Sequence, residues 1–529
     1  MARAQRGSDM TTDMATDMTH VTQDLILGLD CGTGGARALI STVAGDVLAI
    51  VDSPYPTRYP RAGWATQSPH DWWRAACEAV RGAIAEAGID PVRIAAICAD
   101  GTSSTLVSLD ADLTPVSDAI LWMDNRASPQ ARRIEDTGHP ALRRSRAGVS
   151  AETALPKIMW LKEHEPEAYT ATTWFVEMTD YMALCLSGRL TLGQNHTINR
   201  WFYNPRTGGW PVDFLDAIGL EGITERFPKD MPALGDPIGP ITAQAAEQMG
   251  LSPKTLVVAG GTDAYVAMVG LNTLRPGETA LITGTSHLVL PVVAEDVEIE
   301  GLFGPHPDCV SQGTFVLEGG QVSSGGILRW WHDLLHEGNN GYEEMLAQAE
   351  AAPPGANGLV VLDFWQGNRN PFTDYDLQGA IWGLTLKHGR ADITRALMES
   401  VALGTANILG RLQARGLEVK TMTLAGGVLR SPFWAQMHAD ATGVTLRIPE
   451  VGEATAFGAA ITAAVGVGLY PSLEQAADAM VRIRCEIHPD PTRHAQLSSQ
   501  MEIYLETHAA LRPLMHRQAA RSRASPPAH

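Results

Sequence analysis

Two glycine-rich stretches of similar pattern, one in each half of the chain, constrain the fold more than any other feature of the sequence. Residues 25–40 read LILGLDCGTGGARALI, and residues 279–290 read TALITGTSHLVL. In both, an apolar run enters a turn of glycine and small hydroxyl residues and a second apolar run leaves it, which is the pattern of a β-hairpin. Two such turns at domain-scale separation predict two similarly built domains.

The turn of the first hairpin has the composition of an anion-binding loop. Its glycines remove side-chain bulk, so that backbone N–H groups around Gly32 and the hydroxyl of Thr33 can surround a phosphate. Asp30, directly before the turn, adds a carboxylate where a phosphate-bound Mg²⁺ would need one. The two hairpins therefore predict two phosphate loops facing one nucleotide, with a pair of purely structural turns as the alternative.

Composition narrows the class of protein. A chain of 529 residues is long enough for two domains with separate cores, and its net charge of −19 argues against a nucleic-acid partner. We find no apolar run long enough to span a bilayer. The six cysteines show no close pair and no CxxC, which indicates neither a zinc site nor a disulfide framework. We therefore expect a cytoplasmic protein with reduced thiols and no membrane partner.

The two ends of the chain differ from the rest in composition. Residues 1–20 contain repeated Thr-Asp and several methionines but no apolar signal core, which indicates a disordered leader or an extended start site. Residues 517–529 form a polar tail of Ala, Arg, Ser and Pro.

Between these ends, apolar runs alternate with polar loops in the pattern of an α/β protein. Helical spacing predicts helices over residues 70–87 and 393–412, and over 453–466 an Ala/Gly helix that packs closely on a neighbour. We also expect one helix over 174–186, the start of an amphipathic helix at 157–161, and a loop over a pocket at 195–210. Polar loops that follow buried strands predict sites at strand ends.

Asp263 stands at one of these strand ends. The buried strand 256–258 runs into Gly260 and Gly261, and Asp263 then heads a helix of mostly small residues. A carboxylate there can serve as a plain helix N-cap. The paired glycines, however, permit close approach by a ligand, and the same carboxylate can take a proton from a substrate hydroxyl.

Two further segments have ligand-binding composition. Trp122, Asp124 and Arg126 follow an apolar run and offer an aromatic face and charged groups to a sugar. The alternative is a core tryptophan with Asp124 capping a helix at Arg126. Residues 317–326, rich in Gly and Ser, precede a helix and suit a phosphate at its N-terminus; the alternative is a plain connection.

Taken in order, these motifs resemble those of the FGGY carbohydrate kinases, a family of pentulose, hexulose and polyol kinases. The resemblance covers about residues 25–473 and rests on GLDCGTGGAR, DGTSSTLVSLD, LWMDNR, AGGTDA, ITGTSHLVL, GGQVSSGGILRWW, GAIWGLTLKHGRADITRALMES, LAGGVLRSPFWAQMHADATG and EATAFGAAITAAVG. It implies an α/β fold of two actin-like (ribonuclease-H-type) ATPase domains with a deep interdomain cleft. ATP is expected mainly on the second domain and the sugar mainly on the first.

The same resemblance implies domain limits. We expect a leader at 1–20, an N-terminal sugar-binding domain at 21–270, a C-terminal ATP-binding domain at 271–500, and a C-terminal helix with a polar tail at 501–529. A homodimer is common in the family, so the resemblance makes a homodimer possible here, although the sequence itself does not indicate the oligomeric state.

The resemblance also implies roles residue by residue. Asp263 matches the catalytic base of the GG-x-D-A motif, and Asp30 matches the carboxylate that helps to hold Mg²⁺–ATP. ATP contacts are implied for Gly32, Thr33, Gly284, Thr285, Ser286, Gly325, Gly426, Gly427 and Gln436. Sugar contacts are implied for Ser103, Ser104, Trp122, Asp124, Glu318 and Asn199.

Departures from the family pattern bear on the substrate. Asn199 lies about where ribulokinases carry a substrate-binding lysine, and Ser103-Ser104 replaces the Met-His pair of typical xylulokinases. DGTS, LWMDNR and EGGQ together favour the ribulokinase branch, so a pentulose such as ribulose is the first expectation. Xylulose or a polyol (erythritol, glycerol or ribitol) is the alternative. A distant alternative is an actin-like or chaperone-like ATPase without a sugar substrate.

Overall fold

The computed structural model describes residues 23–145, 148–335 and 341–524. The expected leader, residues 1–20, and the last five residues of the expected tail lie outside the described residues.

The N-terminal half, through residue 270, alternates strands and helices. Its strands are β1 (Leu25–Cys31), β2 (Gly35–Thr42), β3 (Val47–Pro54), β4 (Thr66–Gln67), β5 (Ile94–Gly101), β6 (Leu106–Leu109), β7 (Ala119–Ile120), β8 (Trp174–Glu177), β9 (Pro237–Pro240) and β10 (Leu256–Val258). Its helices are α1 (Pro69–Ala87), α2 (Ser128–Asp136), α3 (Ala154–His164), α4 (Pro166–Ala171), α5 (Met178–Ser187), α6 (Gln194–Arg200), α7 (Val212–Ala217), α8 (Ala243–Met249) and α9 (Asp263–Gly270).

The C-terminal half continues in the same way. Its strands are β11 (Glu278–Thr283), β12 (His287–Val293), β13 (Phe303–Pro307), β14 (Phe315–Gln321), β15 (Val360–Leu362), β16 (Ala380–Trp382), β17 (Thr421–Gly426), β18 (Thr445–Pro449) and β19 (Ile483–Ile487). Its helices are α10 (Gly325–Leu335), α11 (Tyr342–Ala351), α12 (Arg390–Gln413), α13 (Pro432–Thr442), α14 (Ala454–Gly466), α15 (Leu473–Met480) and α16 (Pro491–Ala524).

The two main sheets repeat one topology. The first has the strand order β3-β2-β1-β5-β10-β9, and the second has the order β13-β14-β12-β11-β17-β18-β19. In each, a three-strand antiparallel meander is followed by two strands parallel to its first strand, β5 and β10 in one sheet and β17 and β18 in the other. The expected pair of actin-like domains is therefore confirmed, and both glycine-rich hairpins are present as β1–β2 and β11–β12.

Strand β1 is apolar on both faces because it separates two cores. Leu25, Leu27 and Leu29 pack in the core that includes Trp72 of α1, whereas Ile26 packs in a core with helix α14. Alternate residues of a strand point to opposite faces of the sheet, so a centrally placed strand reads as a continuous hydrophobic run.

Helix α14 of the C-terminal half lies directly on the N-terminal sheet. A Cβ atom added at Gly28 would lie 1.9 Å from the carbonyl oxygen of Ala456, and one at Gly458 would lie 2.0 Å from the carbonyl oxygen of Val266 on α9. The small residues of α14 thus allow backbone-to-backbone contact, and this helix ties the two halves together.

Several expected elements differ from the structure. Residues 174–186 are strand β8 followed by α5, because β8 pairs with β6 and a capping box of Glu177 and Asp180 begins the helix. Helix α6 occupies the start of the expected loop at 195–210. Helix α3 is buried along residues 154–161 rather than amphipathic. Helix α16 begins at Pro491 and continues to Ala524, through part of the expected polar tail. Within the described residues, no helix combines the length and apolarity needed to cross a membrane.

Candidate active site

Three carboxylates meet at the carboxyl ends of neighbouring parallel strands. Asp30 lies near the end of β1, Asp100 near the end of β5, and Asp263 at the first position of α9, shortly after β10. Asp30 and Asp100 are partners in the strand register. Asp30 and Asp263 keep some solvent exposure, whereas Asp100 is fully buried. This edge of a parallel sheet is the usual place for a ligand in α/β folds.

The crowding of these carboxylates shifts their pKa values upward. Burial, together with the charge of Asp30, raises the pKa of Asp263 to about 7. Burial raises the pKa of Asp30 to about 6, against the opposing charge of Arg37. Burial and the two neighbouring carboxylates hold the pKa of Asp100 well above its usual range. A hydrogen bond shared with Asp30 acts in the same direction, because it favours the protonated form of Asp100.

The carboxylate of Asp263 is oriented by a hydrogen bond from the backbone of its own helix. The backbone N–H of Ala264 donates to its Oδ1 at 2.7 Å. The N-cap position belongs to Thr262, so the alternative interpretation of Asp263 as a plain N-cap does not describe the structure. The positive end of the helix dipole at α9 favours the ionised carboxylate.

The first glycine-rich turn is fixed by side chains from three elements. The Nε1–H of Trp122 donates to Thr33 Oγ1 at 3.0 Å, and Gln67 Nε2 donates to the Thr33 carbonyl oxygen at 2.8 Å. The Tyr55 hydroxyl donates to the carbonyl oxygen of Gly32. Trp122 therefore supports the first glycine-rich turn, and its expected sugar contact stays a prediction.

On the C-terminal half, three predicted nucleotide loops come together. The backbone N–H groups of Ser324 and Gly326 each donate to the Thr285 carbonyl oxygen at 3.0 Å. A Cβ at Gly325 would lie 2.3 Å from the Gly284 carbonyl oxygen. The hydroxyl of Thr283 donates to the Ala425 carbonyl oxygen at 2.6 Å, which joins β11 to the turn that contains Gly426 and Gly427.

These loops border a cavity of about 1520 Å³, which we call the nucleotide cavity. Gly284, Thr285, Gly325 and Gly427 line it, whereas Ser286 and Gly426 are exposed beside them. Four aromatic side chains also line it: Trp330, Tyr342, Trp365 and Trp434. Backbone amides suit the phosphates of a nucleotide, and aromatic faces suit its base, so this lining is compatible with a nucleotide.

Gln436 lies apart from these loops. It lines a separate cavity of about 560 Å³, and its amide donates to Asp440 Oδ1 at 2.8 Å and to the His488 carbonyl oxygen at 2.9 Å. Trp434, two residues earlier on α13, faces the nucleotide cavity. Residues two apart on a helix point about 200° away from each other, so these two side chains take opposite faces. The structure thus does not bring Gln436 to the predicted phosphate loops.

Ser103 and Ser104, which are predicted to contact the sugar, lie in a loop that is held in place by hydrogen bonds to buried charged side chains. Ser104 adopts a left-handed backbone with φ of 59°, and its N–H donates to Glu177 Oε2 at 2.8 Å. The ammonium of Lys157 donates to the carbonyl oxygens of Ser104 at 2.6 Å and Leu121 at 2.8 Å. Burial lowers the pKa of Lys157 to about 7. Lys157 therefore positions both the serine loop and the segment before Trp122.

Glu318 joins the two halves through arginine. Arg200 Nη2 donates to Glu318 Oε1 at 3.0 Å and Oε2 at 2.8 Å, while Arg200 Nε donates to Ser103 Oγ at 2.9 Å. The Tyr265 hydroxyl and Arg369 also donate to Glu318, at 3.0 and 3.2 Å. Burial alone would raise the pKa of Glu318, but Arg200 and Arg369 outweigh it and lower the value to about 2.

Arg200 was missed by the sequence analysis. The expected contact residue, Asn199, is its immediate neighbour, and neither polar atom of the Asn199 side chain has a hydrogen-bond partner in the described structure. When the alignment of a motif is uncertain by one residue, it cannot distinguish two adjacent polar side chains. Of these two residues, only Arg200 carries a positive charge, as the lysine of ribulokinases does.

Asp124 serves the local structure. It is fully buried; Oδ2 accepts a hydrogen bond from the Ala65 N–H at 2.6 Å, and Arg126 bonds both oxygens through its guanidinium. Its Oδ1 also accepts from the Arg126 N–H at 2.9 Å, although helix α2 begins only at Ser128. A sugar contact would require this network to open, and it stays a prediction.

The carboxylates do not form a protein-only metal site. Among the described residues, no group of three or more His, Cys, Asp or Glu side chains is placed to hold a metal ion. Mg²⁺ in nucleotide sites usually takes only one or two carboxylates and completes its shell with phosphates and water. Asp30, partly exposed and next to the first glycine-rich turn, fits that requirement.

A duplicated actin-like fold with carboxylates on one domain and glycine loops on the other defines an ATP-dependent phosphotransferase. Residues 25–270 match the model of the FGGY family of carbohydrate kinases, N-terminal domain, and residues 279–467 match the C-terminal domain of the same family. The chain therefore belongs to the FGGY family and is an ATP-dependent sugar kinase.

Known relatives span nearly the whole chain. A xylulose kinase of Staphylococcus epidermidis is 26% identical over 487 residues, with 91% of this chain and 96% of the relative covered. A ribulokinase of Geobacillus thermodenitrificans is 28% identical over 528 residues, with 91% and 94% covered. Among solved structures, a xylulose kinase from Rhodospirillum rubrum aligns with a TM-score of 0.84 at 25% identity, covering 93% of this chain and all of the other. A gluconate kinase from Lactobacillus acidophilus aligns with a TM-score of 0.85 at 22% identity, covering 92% and 98%, and supports the fold.

Proposed function

We propose that this kinase transfers the γ-phosphoryl group of ATP to a terminal hydroxyl of a ketose, and that a pentulose such as ribulose is the preferred acceptor. The observation that carries the proposal is Asp263, a partly exposed carboxylate with a raised pKa beside Asp30, on the sheet edge where a ligand is expected. The names of the two curated relatives, a xylulose kinase and a ribulokinase, support a pentulose.

In the proposed step, the acceptor hydroxyl oxygen forms a bond to the γ-phosphorus. The bond from the γ-phosphorus to the oxygen that bridges it to the β-phosphate breaks, and ADP leaves. Asp263 orients the hydroxyl and takes its proton. A base with a pKa of about 7 suits this role at physiological pH, because it is largely ionised yet still basic enough to accept a proton.

The chain's own groups would hold the nucleotide. Backbone amides of the loops at 284–286, 325–326 and 426–427 would bind phosphate oxygens, and Gly32 and Thr33 would face them from the first domain. Asp30 would hold Mg²⁺, which supplies charge neutralisation on the transferring group. Phosphoryl transfer depends on positioning and charge stabilisation more than on covalent catalysis, and a site of loops, one base and one metal suffices.

On the acceptor side, Ser103, Arg200 and Glu318 form one hydrogen-bonded network. Arg200 lowers the pKa of Asp263 by its charge, which places the two within electrostatic range. Since both Glu318 oxygens are already bonded to arginine, we propose that the pair acts on the sugar as a unit, with Arg200 in place of the lysine of ribulokinases. Xylulose is the second candidate, supported by the name of the Staphylococcus relative.

A cytoplasmic location belongs to the same proposal. It is supported by the six cysteines, which are all free. The possible homodimer stays a prediction.

The acceptor is tested by ADP release from Mg²⁺–ATP with D- and L-ribulose, D- and L-xylulose, fructose, erythritol, ribitol and glycerol. The proposal expects the highest kcat/KM with a pentulose and a phosphate on a terminal carbon, located by ³¹P NMR. A highest kcat/KM with a polyol would contradict the pentulose assignment and leave the kinase reaction in place.

A further inference from the structure

Two buried histidines, His287 and His438, connect the second glycine-rich turn with helix α13. His287 is the first residue of β12 and the register partner of Thr283, so these two residues close the hairpin around the turn at 284–286. His438 lies on α13. The ring centroids of the two histidines are 5.3 Å apart, and the residues are 1% and 0% exposed. Neither ring takes part in the proposed phosphoryl transfer.

Most of the polar atoms of these two rings are unpartnered. Nδ1 and Nε2 of His287 and Nε2 of His438 have no hydrogen-bond partner among the described residues. The remaining nitrogen, His438 Nδ1, lies 2.8 Å from the carbonyl oxygen of Trp434. Buried polar groups in folded proteins are nearly always hydrogen-bonded. Two such rings in contact therefore point to a bond between them, made directly or through one buried water.

The protonation states of the rings are compatible with such a bond. Burial holds the pKa of His287 well below its usual range, and burial lowers the pKa of His438 to about 4, so both rings are neutral near pH 7. Because a carbonyl oxygen only accepts, Nδ1 of His438 carries the hydrogen and its Nε2 is an acceptor. The single N–H of neutral His287 thus has a matching acceptor in the neighbouring ring.

Both rings also contact Trp434, which lines the nucleotide cavity. The Trp434 ring lies 6.0 Å from the ring of His287 and 5.5 Å from that of His438, measured between centroids. Trp434 and His438 are four residues apart on α13 and share one of its faces. At the other end, His287 directly follows the turn, in which Thr285 lines the same cavity. The histidine pair thus lies between the proposed phosphate-binding turn and an aromatic side chain of the cavity.

We propose that His287 is a positioning residue for ATP, which bonds His438 and thereby fixes the turn at 284–286 relative to α13 and Trp434. The two rings act as one unit, because each supplies the partner that the other lacks. His287 does not itself line the nucleotide cavity, so it acts on ATP only through the turn and Trp434. This inference rests on the proposed nucleotide site and names a residue that keeps its two walls in register.

The test is a double-variant cycle of His287→Phe and His438→Phe. Phenylalanine keeps an aromatic ring of similar size and removes the nitrogens. The Kd for ATP is measured by isothermal titration calorimetry, and KM is measured separately for ATP and for the ketose. His287→Gln is the conservative variant, because its amide retains a donor and an acceptor.

His508→Phe is the matched control. His508 is also buried, at 8% exposure, stacks on Phe372 with ring centroids 3.8 Å apart, and has an unpartnered Nε2 in the part of the chain that the structure describes. It lies on α16 and does not line the nucleotide cavity.

Each single Phe variant should raise Kd and KM for ATP about tenfold and leave KM for the ketose unchanged, and the double variant should raise them no further. His287→Gln should recover most of the loss, and His508→Phe should bind ATP as the wild type does. If His287→Phe fails to fold, His438→Phe carries the same expectation.

Three results would overturn the positioning role and leave the kinase proposal standing. They are an unchanged Kd for ATP in the Phe variants, a further rise of about tenfold in the double variant, and an equal rise in His508→Phe. Absence of ATP binding by the wild type would instead overturn the proposed nucleotide site together with this inference.

Discussion

Asp263 derives its expected reactivity from three neighbours of different kinds. Burial and the charge of Asp30 raise its pKa to about 7, while the Ala264 N–H and Arg200 act in the opposite direction. The balance leaves a carboxylate that is basic enough to accept a proton from a hydroxyl yet still largely ionised above neutral pH.

The pH dependence of catalysis follows from this balance. Because Asp263 must be deprotonated to act as a base, kcat/KM for the acceptor should be flat above its pKa of about 7 and fall about tenfold per pH unit below it. Arg200→Met should move the inflection to higher pH, because the arginine lowers the pKa of Asp263. A profile without an inflection between pH 5 and 8 would contradict the assignment of Asp263 as the base.

Arg200 should also matter for stability. Its removal would leave Glu318, only 1% exposed, with the weaker compensation of Arg369 and Tyr265. Arg200→Met is expected to lower the free energy of unfolding by about 3 kcal/mol, as for other broken buried ion pairs. The measurement is a urea transition at pH 7.

The matched control is Arg74→Met, which removes an exposed pair with Glu78 at 3.0 Å. That variant should change stability by less than about 0.5 kcal/mol. Equal losses in the two variants would show that the Arg200–Glu318 pair is no more important than a surface contact.

At the scale of single residues, the sequence predicts some members of the candidate site and misses others. Asp30 and Asp263 are predictable because each follows an apolar strand and a glycine in a recognisable motif. Asp100 is not, since its importance comes from its register pairing with Asp30 and from its burial beside Asp30 and Asp263. Lys157 and Arg200 act through carbonyls and carboxylates that are distant in sequence, and no local pattern shows such contacts.

At the scale of the elements, the turn of the hairpin β11–β12 packs closely against the start of helix α10, and this packing requires a glycine at position 325. A Cβ at Gly325 would lie 2.3 Å from the Gly284 carbonyl oxygen, well inside van der Waals distance. Gly325→Ala should push the two loops apart and raise KM for ATP about tenfold, the cost of roughly one charge-assisted backbone hydrogen bond. Initial rates at saturating acceptor measure it.

Gly410→Ala is the control for this substitution. Gly410 lies in α12, and a Cβ there meets no atom within 4 Å in the described structure. This variant should leave KM for ATP unchanged and stabilise the helix slightly. An unchanged KM for ATP in Gly325→Ala would show that this turn does not contribute to nucleotide binding.

Elements with a strong local pattern are the ones the sequence predicts. The two hairpins, whose turns contain glycines, and helix α1, which ends before Gly88, agree with the structure. The segment 174–186 does not, because β8 exists only through its pairing with β6, and the pattern of its apolar residues is compatible with either state. The same tertiary dependence makes the start of α16 at Pro491 difficult to predict.

At the scale of the whole molecule, the two halves are connected on both sides of the site. Helix α14 packs by backbone contact on β1 and α9, and Glu318 of β14 bonds Arg200 of α6. The active-site groups therefore come from both halves of the chain, and we expect the cleft between them to close when the acceptor binds. A kinase needs such a response, because water in the acceptor position would waste ATP.

The most direct test of the account is acceptor-dependent ADP release by the wild type and by Asp263→Asn, with Asp216→Asn, an exposed position on α7, as control. The account predicts that a ketose raises ADP release far above the rate with ATP alone in the wild type and the control. In Asp263→Asn the acceptor-dependent rate should fall at least a thousandfold, about 4 kcal/mol of transition-state stabilisation, with ATP binding retained. ADP release that no acceptor stimulates, or a near-normal rate in Asp263→Asn, would contradict it.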